Sequence, residues 1–160
     1  MNPNETTQGE LQKIKKAAEW LGEQNLQIAD TPNMSIDYIC SQAEQYAESH
    51  DVGLVVVDYI QLIEGSRQRG QSREQELASM SRRLKQLAKK VKAPVISPAQ
   101  LNDDGRLRDS RAIGHDADVI LKIKEGGVAV DKFRNSQRDD VLPLKLNGAI
   151  QRFETDYENT

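Results

Sequence analysis

The sequence predicts an α/β domain: a parallel sheet with helices on its faces that finishes in antiparallel strands. Three observations predict it. Gly53-Leu54-Val55-Val56-Val57-Asp58 holds four consecutive apolar residues, three of them β-branched, with no polar alternation. That pattern suits a strand buried on both faces. A helical stretch and a second short apolar run, Pro94-Val95-Ile96-Ser97, follow it, and strand–helix–strand within one sheet implies a right-handed parallel crossover. From residue 119 onward the pattern becomes short strands separated by turn residues, which suits antiparallel pairing.

The first helix is expected to open at a capping box, in which Thr7 accepts from the backbone of Glu10 and Glu10 reaches back. Leu11, Ile14, Ala18 and Leu21 then recur at helical spacing. Leu26-Gln27-Ile28-Ala29 is a short strand candidate, stopped by Asp30-Thr31-Pro32-Asn33. A second helix begins near Ser35, with Ile36, Ile39, Cys40, Ala43 and Ala47 on one side. After the valine-rich strand comes a polar loop from Gly65 to Gln71. Ser72 then caps a long helix whose Leu77, Met80, Leu84, Leu87 and Val91 face inward. Pro94 to Ser97 is read as a short buried strand. Four strands close the chain, Val119–Ile123, Val128–Phe133, Val141–Leu146 and Ile150–Phe153, with turn signals at Gly126-Gly127, Asn135-Ser136 and Asn147-Gly148. The last of these signals a two-residue hairpin. With no internal repeat and no low-complexity linker, residues 1–160 read as one domain. Residues 1–50 form a helical part, 51–124 run from the valine-rich strand through the loop and short helix beyond the second strand, and 125–156 form the antiparallel strands.

Composition narrows the function classes. Hydrophobic residues at 37% and charged residues at 29% describe a globular chain rather than a disordered one. An aromatic content of 4% argues against a module that stacks single-stranded bases on rings. The formal net charge of −3 is not that of a simple polyanion binder. The charge is uneven, however. Between Arg67 and Lys92 nine basic residues stand against Glu74 and Glu76, which is either a solvated helix face or an electrostatic footprint for nucleic acid. The single cysteine, Cys40, has no internal disulfide partner and lies on the apolar side of its helix. A core role and a reducing, cytoplasmic compartment fit it. No apolar run approaches the roughly 18 residues of a membrane span and no signal peptide is visible, so no membrane partner is expected.

Four clusters carry chemistry. Asp58 ends the valine-rich strand, and a carboxylate at the carboxyl edge of an α/β sheet can hold a water of a magnesium ion bridging nucleotide phosphates; the plainer alternative is a turn cap. Gln100 lies just past the next strand, where a neutral amide can sense a phosphate or position water; otherwise it bonds local backbone. Arg106-Leu107-Arg108-Asp109-Ser110-Arg111 is rich in phosphate-seeking groups, or is a solvated loop paired with Asp103 and Asp104. On a strand, Lys132 and Arg134 share a face two residues apart and together suit several negative oxygens, such as those of a γ-phosphate on a neighbouring subunit. Alternatively they guard an edge strand.

The order of these clusters resembles that of DnaB-type replicative DNA helicases. Leu54-Val55-Val56-Val57-Asp58-Tyr59-Ile60-Gln61-Leu62 is similar to that family's Walker B segment, and Pro94-Val95-Ile96 leading to Gln100-Leu101-Asn102 to its sensor-glutamine strand. Leu107-Arg108-Asp109-Ser110, then Ile113 and Asp116-Ala117-Asp118, resembles the DNA-binding loop and the helix behind it. Lys132-Phe133-Arg134-Asn135 resembles the Lys-x-Arg-Asn motif, with Leu146-Asn147-Gly148 and Arg152-Phe153 closing the match. The resemblance covers the whole chain and is tightest from Gly53 to Phe153. It implies a RecA-like P-loop NTPase core in a hexameric ring, with ATP bound between subunits and single-stranded DNA in the channel. In that arrangement Asp58 holds Mg2+ and Gln100 reports nucleotide state. Lys132 and Arg134 act on the neighbour's phosphates, the arginine as a finger, while Arg108, Asp109, Ser110 and Arg111 meet the DNA backbone.

The chain also departs from the family. Gly-x-x-x-x-Gly-Lys-Ser/Thr occurs nowhere in it, and the family's first strand, its water-activating glutamate and its primase-binding domain have no counterpart. Pro98 and Ala99 replace an apolar-serine pair, Arg111 stands where the family often has glycine, and the loop from Asn102 to Leu107 is short, as in a phage-like or divergent lineage. The expectation is an incomplete core, cut before the Walker B segment or degenerate. It would bind no ATP and Mg2+ by itself and is open to dimerising. Two alternatives stand beside it: a non-catalytic nucleic-acid-binding or helicase-docking module built on the same core, and a fragment of a RecA-type recombination or circadian-clock ATPase.

Overall fold

Helix starts follow the capping residues that the sequence supplies. The structure, a computed structural model, describes residues 7–64, 71–101, 111–124, 127–134 and 141–155. It divides into two compact units, Met1–Pro32 and Asn33–Thr160. In the first, helix α1 (Gln8–Gly22) opens as expected: the Glu10 N–H donates to Thr7 Oγ1 at 3.3 Å, and the Thr7 N–H donates to Glu10 Oε2 at 2.7 Å. None of its residues is buried. Leu26–Ala29 do not form the expected strand. A strand exists only by exchanging hydrogen bonds with a neighbour, and no described residue pairs with this segment.

The second unit is built around two packed helices. Helix α2 (Ile36–Ser49) is capped by Ser35, whose Oγ accepts from the Tyr38 N–H at 3.2 Å. Helix α3 (Arg73–Val91) opens with a reciprocal box between Ser72 and Gln75 and ends at Lys92, whose left-handed backbone (φ 55°) stops it. Leu77, Met80, Leu84 and Leu87 recur every three or four residues, so one stripe of α3 packs against Ile36 and Cys40 of α2 and against Val57, Ile60 and Ile63. Burial pushes the Cys40 thiol above its ordinary range, the behaviour of a core residue rather than a reactive one.

Strands β1 (Val55–Val56) and β2 (Val95–Ile96) flank α3 in sequence and pair in parallel, Val55 opposite Val95 and Val56 opposite Ile96. This is the expected crossover. The expected burial on both faces is not met. Val57 is buried and Val55 packs on the core, whereas Leu54, Val56 and Ile96 are about half exposed. Alternate residues of a strand face opposite ways, and among the described elements the packed helices cover the Val55–Val57 face alone.

Helix α4 (Arg111–Asp116) precedes four antiparallel strands in sequential order: β3 (Val119–Lys124), β4 (Gly127–Phe133), β5 (Val141–Asn147) and β6 (Arg152–Thr155). Gly127 is needed because a Cβ there would lie 2.3 Å from the Leu142 carbonyl oxygen. Pairing of β3 with β4 skips a residue: Ile120 faces Lys132, but Leu121 faces Val130. Asp131 is thus a bulge, and it reverses the alternation of everything after it. The last turn differs from expectation. Asn147 pairs with Arg152, so residues 148–151 form a four-residue connection, closed by Ile150 N–H to Asn147 O at 3.3 Å and by Gln151 at φ 51°. Strand β6 accordingly starts two residues later than Ile150. The turn signals Gly126 and Asn135-Ser136 lie outside the described residues.

Leu77 is fully buried, so Leu77→Ala is expected to lower unfolding free energy by about 2–5 kcal/mol through lost contact and a residual cavity. Ser72→Ala should cost about 1 kcal/mol through the cap alone. Urea unfolding followed by circular dichroism measures both, and equal losses would contradict this placement of the core.

Candidate nucleotide and nucleic-acid site

Parallel pairing sends β1 and β2 out of the sheet at the same end. Val57 N–H donates to Ile96 O at 2.9 Å, and Ser97 Oγ donates back to Val57 O at 2.8 Å. The next residue is Asp58, exposed, joined to Tyr59 by a cis peptide bond, and with no hydrogen bond or ion pair to its carboxylate among the described residues. Beyond β2 the chain runs to Gln100, also exposed. The two segments are tied together: Ile60 N–H donates to Pro98 O at 3.4 Å, and Gln61 Nε2 to Gln100 O at 3.5 Å. Arg73 at the start of α3 secures the first segment, donating to Gln61 O at 2.6 Å while pairing with the buried Glu76 at 2.7 Å. The acid and the amide expected to share a crevice therefore leave one carboxyl edge, where open α/β sheets hold ligands.

Gln61, Arg73 and Ser97 have no assigned role in the sequence reading. Only Ser97 carried a signal of its own, a hydroxyl closing an apolar strand. Gln61 Oε1 is buried without a hydrogen-bond partner among the described residues.

Lys132 and Arg134 do share a face, through the bulge at Asp131. Lys132 Nζ donates to the backbone oxygens of Gly114 (2.7 Å) and His115 (3.1 Å) at the end of α4, and Arg134 also donates to His115 O at 3.4 Å. Free carbonyls at a helix end attract cations. Arg134 further pairs with Asp118 at 3.2 Å, and Lys85 of α3 reaches the same carboxylate. The Lys85 hydrogen bond, reinforced by the charges of Lys85, Arg134 and Lys132, holds the Asp118 carboxyl below the usual range. Half of the Arg134 side chain remains exposed.

The basic stretch around α3 is largely committed to internal pairs. Arg83 binds Asp37 at 2.7 Å, Lys90 binds Glu44, Lys85 binds Asp118 and Arg73 binds Glu76. Of the two readings of this stretch, the structure matches a helix face tied to its neighbours. Arg67 and Arg69 lie outside the described residues, as do Arg108, Asp109 and Ser110; Arg111 begins α4, and its side chain is likewise not described.

The described residues do not by themselves fit a nucleotide with its metal. They offer one free carboxylate and one amide, no group of three His, Cys, Asp or Glu side chains able to hold an ion, and no glycine-rich cradle with its lysine. No helix among them is long and apolar enough to cross a membrane.

A parallel strand pair under helices, followed by an antiparallel extension, with an acid and an amide at one carboxyl edge, defines the class of RecA-fold ATPase domains. The structure superposes on a solved helicase-type ATPase domain with a TM-score of 0.79 at 24% identity, covering 95% of this chain and 62% of that one. It matches a DnaB-like replicative helicase, solved for its interactions with primase, at 0.76 and 22%, covering 96% of this chain and 42% of the other. The sequence model of the family described as "DnaB-like helicase C terminal domain" matches residues 1–159, and the chain belongs to that family. The probable replicative DNA helicase of Trieres chinensis is 33% identical over 147 residues, 82% of this chain and 32% of the relative. The replicative DNA helicase DnaB of Mycobacterium intracellulare is 34% identical over 140 residues, 80% of this chain and 24% of the relative. The chain thus spans about a quarter to a third of these curated relatives. Membership in this family decides against the recombination-ATPase alternative.

Asp118 supplies a pH test. Its carboxyl is depressed in the folded state, so its contribution is present above the unfolded aspartate value of about 3.9 and is lost as pH falls through the lower folded value. The urea midpoints of the native chain and of Asp118→Asn should differ by a constant amount from pH 5 to 7 and converge below pH 4. A gap that persists at acid pH would assign the effect to something other than this charge.

Proposed function

We propose that this chain is the Walker B-to-C-terminus portion of the motor core of a replicative DNA helicase, which unwinds duplex DNA by ATP-driven translocation on single-stranded DNA. The observation that supports it most is the stitched edge: Asp58 and Gln100 leave one end of a parallel pair, tied by Gln61. Asp58 would hold the magnesium ion of a nucleotide whose phosphates are cradled by a loop that these 160 residues do not contain. Gln100, joined through its backbone to the Asp58 segment, would pass nucleotide state toward the loop holding Arg108, Asp109, Ser110 and Arg111. Those residues would meet the single-strand backbone.

Lys132 and Arg134 would serve the site of a neighbouring subunit in a hexameric ring. Their present partners are backbone oxygens and one shared carboxylate, with Arg134 half exposed. Exposed pairs of this kind are worth at most about 1 kcal/mol, so a phosphate of higher charge density can draw the cations away. A protein doing this work acts in the cytoplasm with the replicating DNA.

By itself the chain is expected to turn over no ATP. A coupled assay with purified chain and Mg2+ should read background, and robust magnesium-dependent hydrolysis would refute the reading. Single-strand binding at low salt should weaken on Arg108→Ala, with the salt slope flattened by about 1, because each phosphate contact releases about one counterion. Lys90→Ala, which removes a cation already paired with Glu44, should leave that slope unchanged. Fluorescence anisotropy against salt concentration measures both.

A further inference from the structure

The antiparallel sheet sorts its side chains completely by polarity. Directly opposed residues share a face, and alternate residues along a strand switch faces. With the register and the bulge at Asp131, one face holds Ile120, Lys122, Lys132, Lys145, Arg152 and Glu154. Lys122 pairs there with Asp131 at 2.8 Å, and Lys132 reaches α4. The other face is apolar throughout, apart from Thr155 at its rim. Val119, Leu121 and Ile123 of β3, Phe133 of β4 and Leu142 and Leu146 of β5 lie on it, each 44–69% exposed.

An antiparallel sheet ordinarily turns its polar face to water and its apolar face to a partner layer. Here the apolar face is the open one. Its exposed side chains present about 600 Å² per chain, the upper end of what a monomer leaves in one patch. Two copies would bury about 1,200 Å² in total, which reaches the range of stable, specific interfaces.

We propose that this face is an interface between two copies of the chain, packed sheet on sheet about a two-fold axis. Two features favour a second copy over a different partner. The described part of the face holds no charged side chain, so a two-fold brings no like charges together and nothing on it selects an oppositely charged surface. The two middle strands, β4 and β5, place the pair Val128–Leu142 at the centre, so an axis through it sets aliphatic groups against their own copies. Twisted sheets pack this way with strands about 30° apart. The inference is independent of the helicase reading.

Sedimentation velocity of the whole chain from about 1 to 100 μM tests it. The expected result is a weight-average mass rising from the 18.0 kDa of one chain toward twice that value. Leu142→Glu and Leu142→Lys should each weaken association about 100-fold, since either buries like charges across the axis. An equimolar mixture of the two should associate again, a rescue that a folding defect would not show. Far-ultraviolet circular dichroism checks each variant, and Leu121→Lys replaces either one that unfolds. A chain that stays monomeric at every concentration, a dimer indifferent to these substitutions, or a mixture that fails to recover would each overturn the proposal.

Discussion

The short parallel ladder between β1 and β2 is the constraint on which the rest of the second unit depends. It is only two residue pairs long, yet it aligns two chain exits at one edge of the sheet. Side-chain bonds extend it where the backbone ladder ends. Ser97 takes the Val57 carbonyl, and Gln61 bridges to the Gln100 backbone. Packing fixes the direction of the ladder. The apolar stripe of α3 lies against Val57, Ile60 and Ile63, so the crossover helix and the start of the acid-bearing segment form one core. Without that packing, two isolated pairs of residues would not persist in water.

Charge in this protein is used locally before it is available to a ligand. The cations of α3 face Asp37 and Glu44 of α2 and Asp118 beyond α4. Each such pair is weak at the surface, but together they tie α3 to its neighbours on both sides. Asp118 is shared between Lys85 of α3 and Arg134 after β4. It therefore couples the central helix to the strand that bears the two site cations. A change in what Arg134 binds would alter the charge environment of Lys85 through a single carboxylate.

The bulge at Asp131 is a second device of position. One extra residue returns Lys132 to the face of Ile120, beside α4, and sends Phe133 to the face of Val119. A regular strand would set the two cations on the apolar face. The same residue thus keeps the charges together and leaves the opposite face wholly apolar. The placement of Lys132 and Arg134 and the open hydrophobic surface are two consequences of one backbone irregularity.

Local chemistry was legible in the sequence alone. Thr7, Ser35 and Ser72 start helices because a side-chain oxygen next to a run of helix formers satisfies the free N–H groups of the first turn. The stripe from Leu77 to Leu87 announced the buried face of α3, and the valine-rich run ending in Asp58 announced a strand with an acid at its exit. Short-range periodicity carries that information because neighbours three or four apart, or two apart, decide it. Tertiary structure decided the rest. Leu26–Ala29 had the composition of a strand but no neighbour to pair with. Leu54, Val56 and Ile96 had the composition of a doubly buried strand but a covering layer on one side alone. Asn147-Gly148 promised a two-residue turn, yet the register that pairs Asn147 with Arg152 required four. The basic residues around α3 looked available until α2 and Asp118 were brought beside them. Each of these outcomes turns on which groups meet across long stretches of chain. A pairing partner, a covering layer and a counter-charge are relations between distant segments, and no local pattern encodes them.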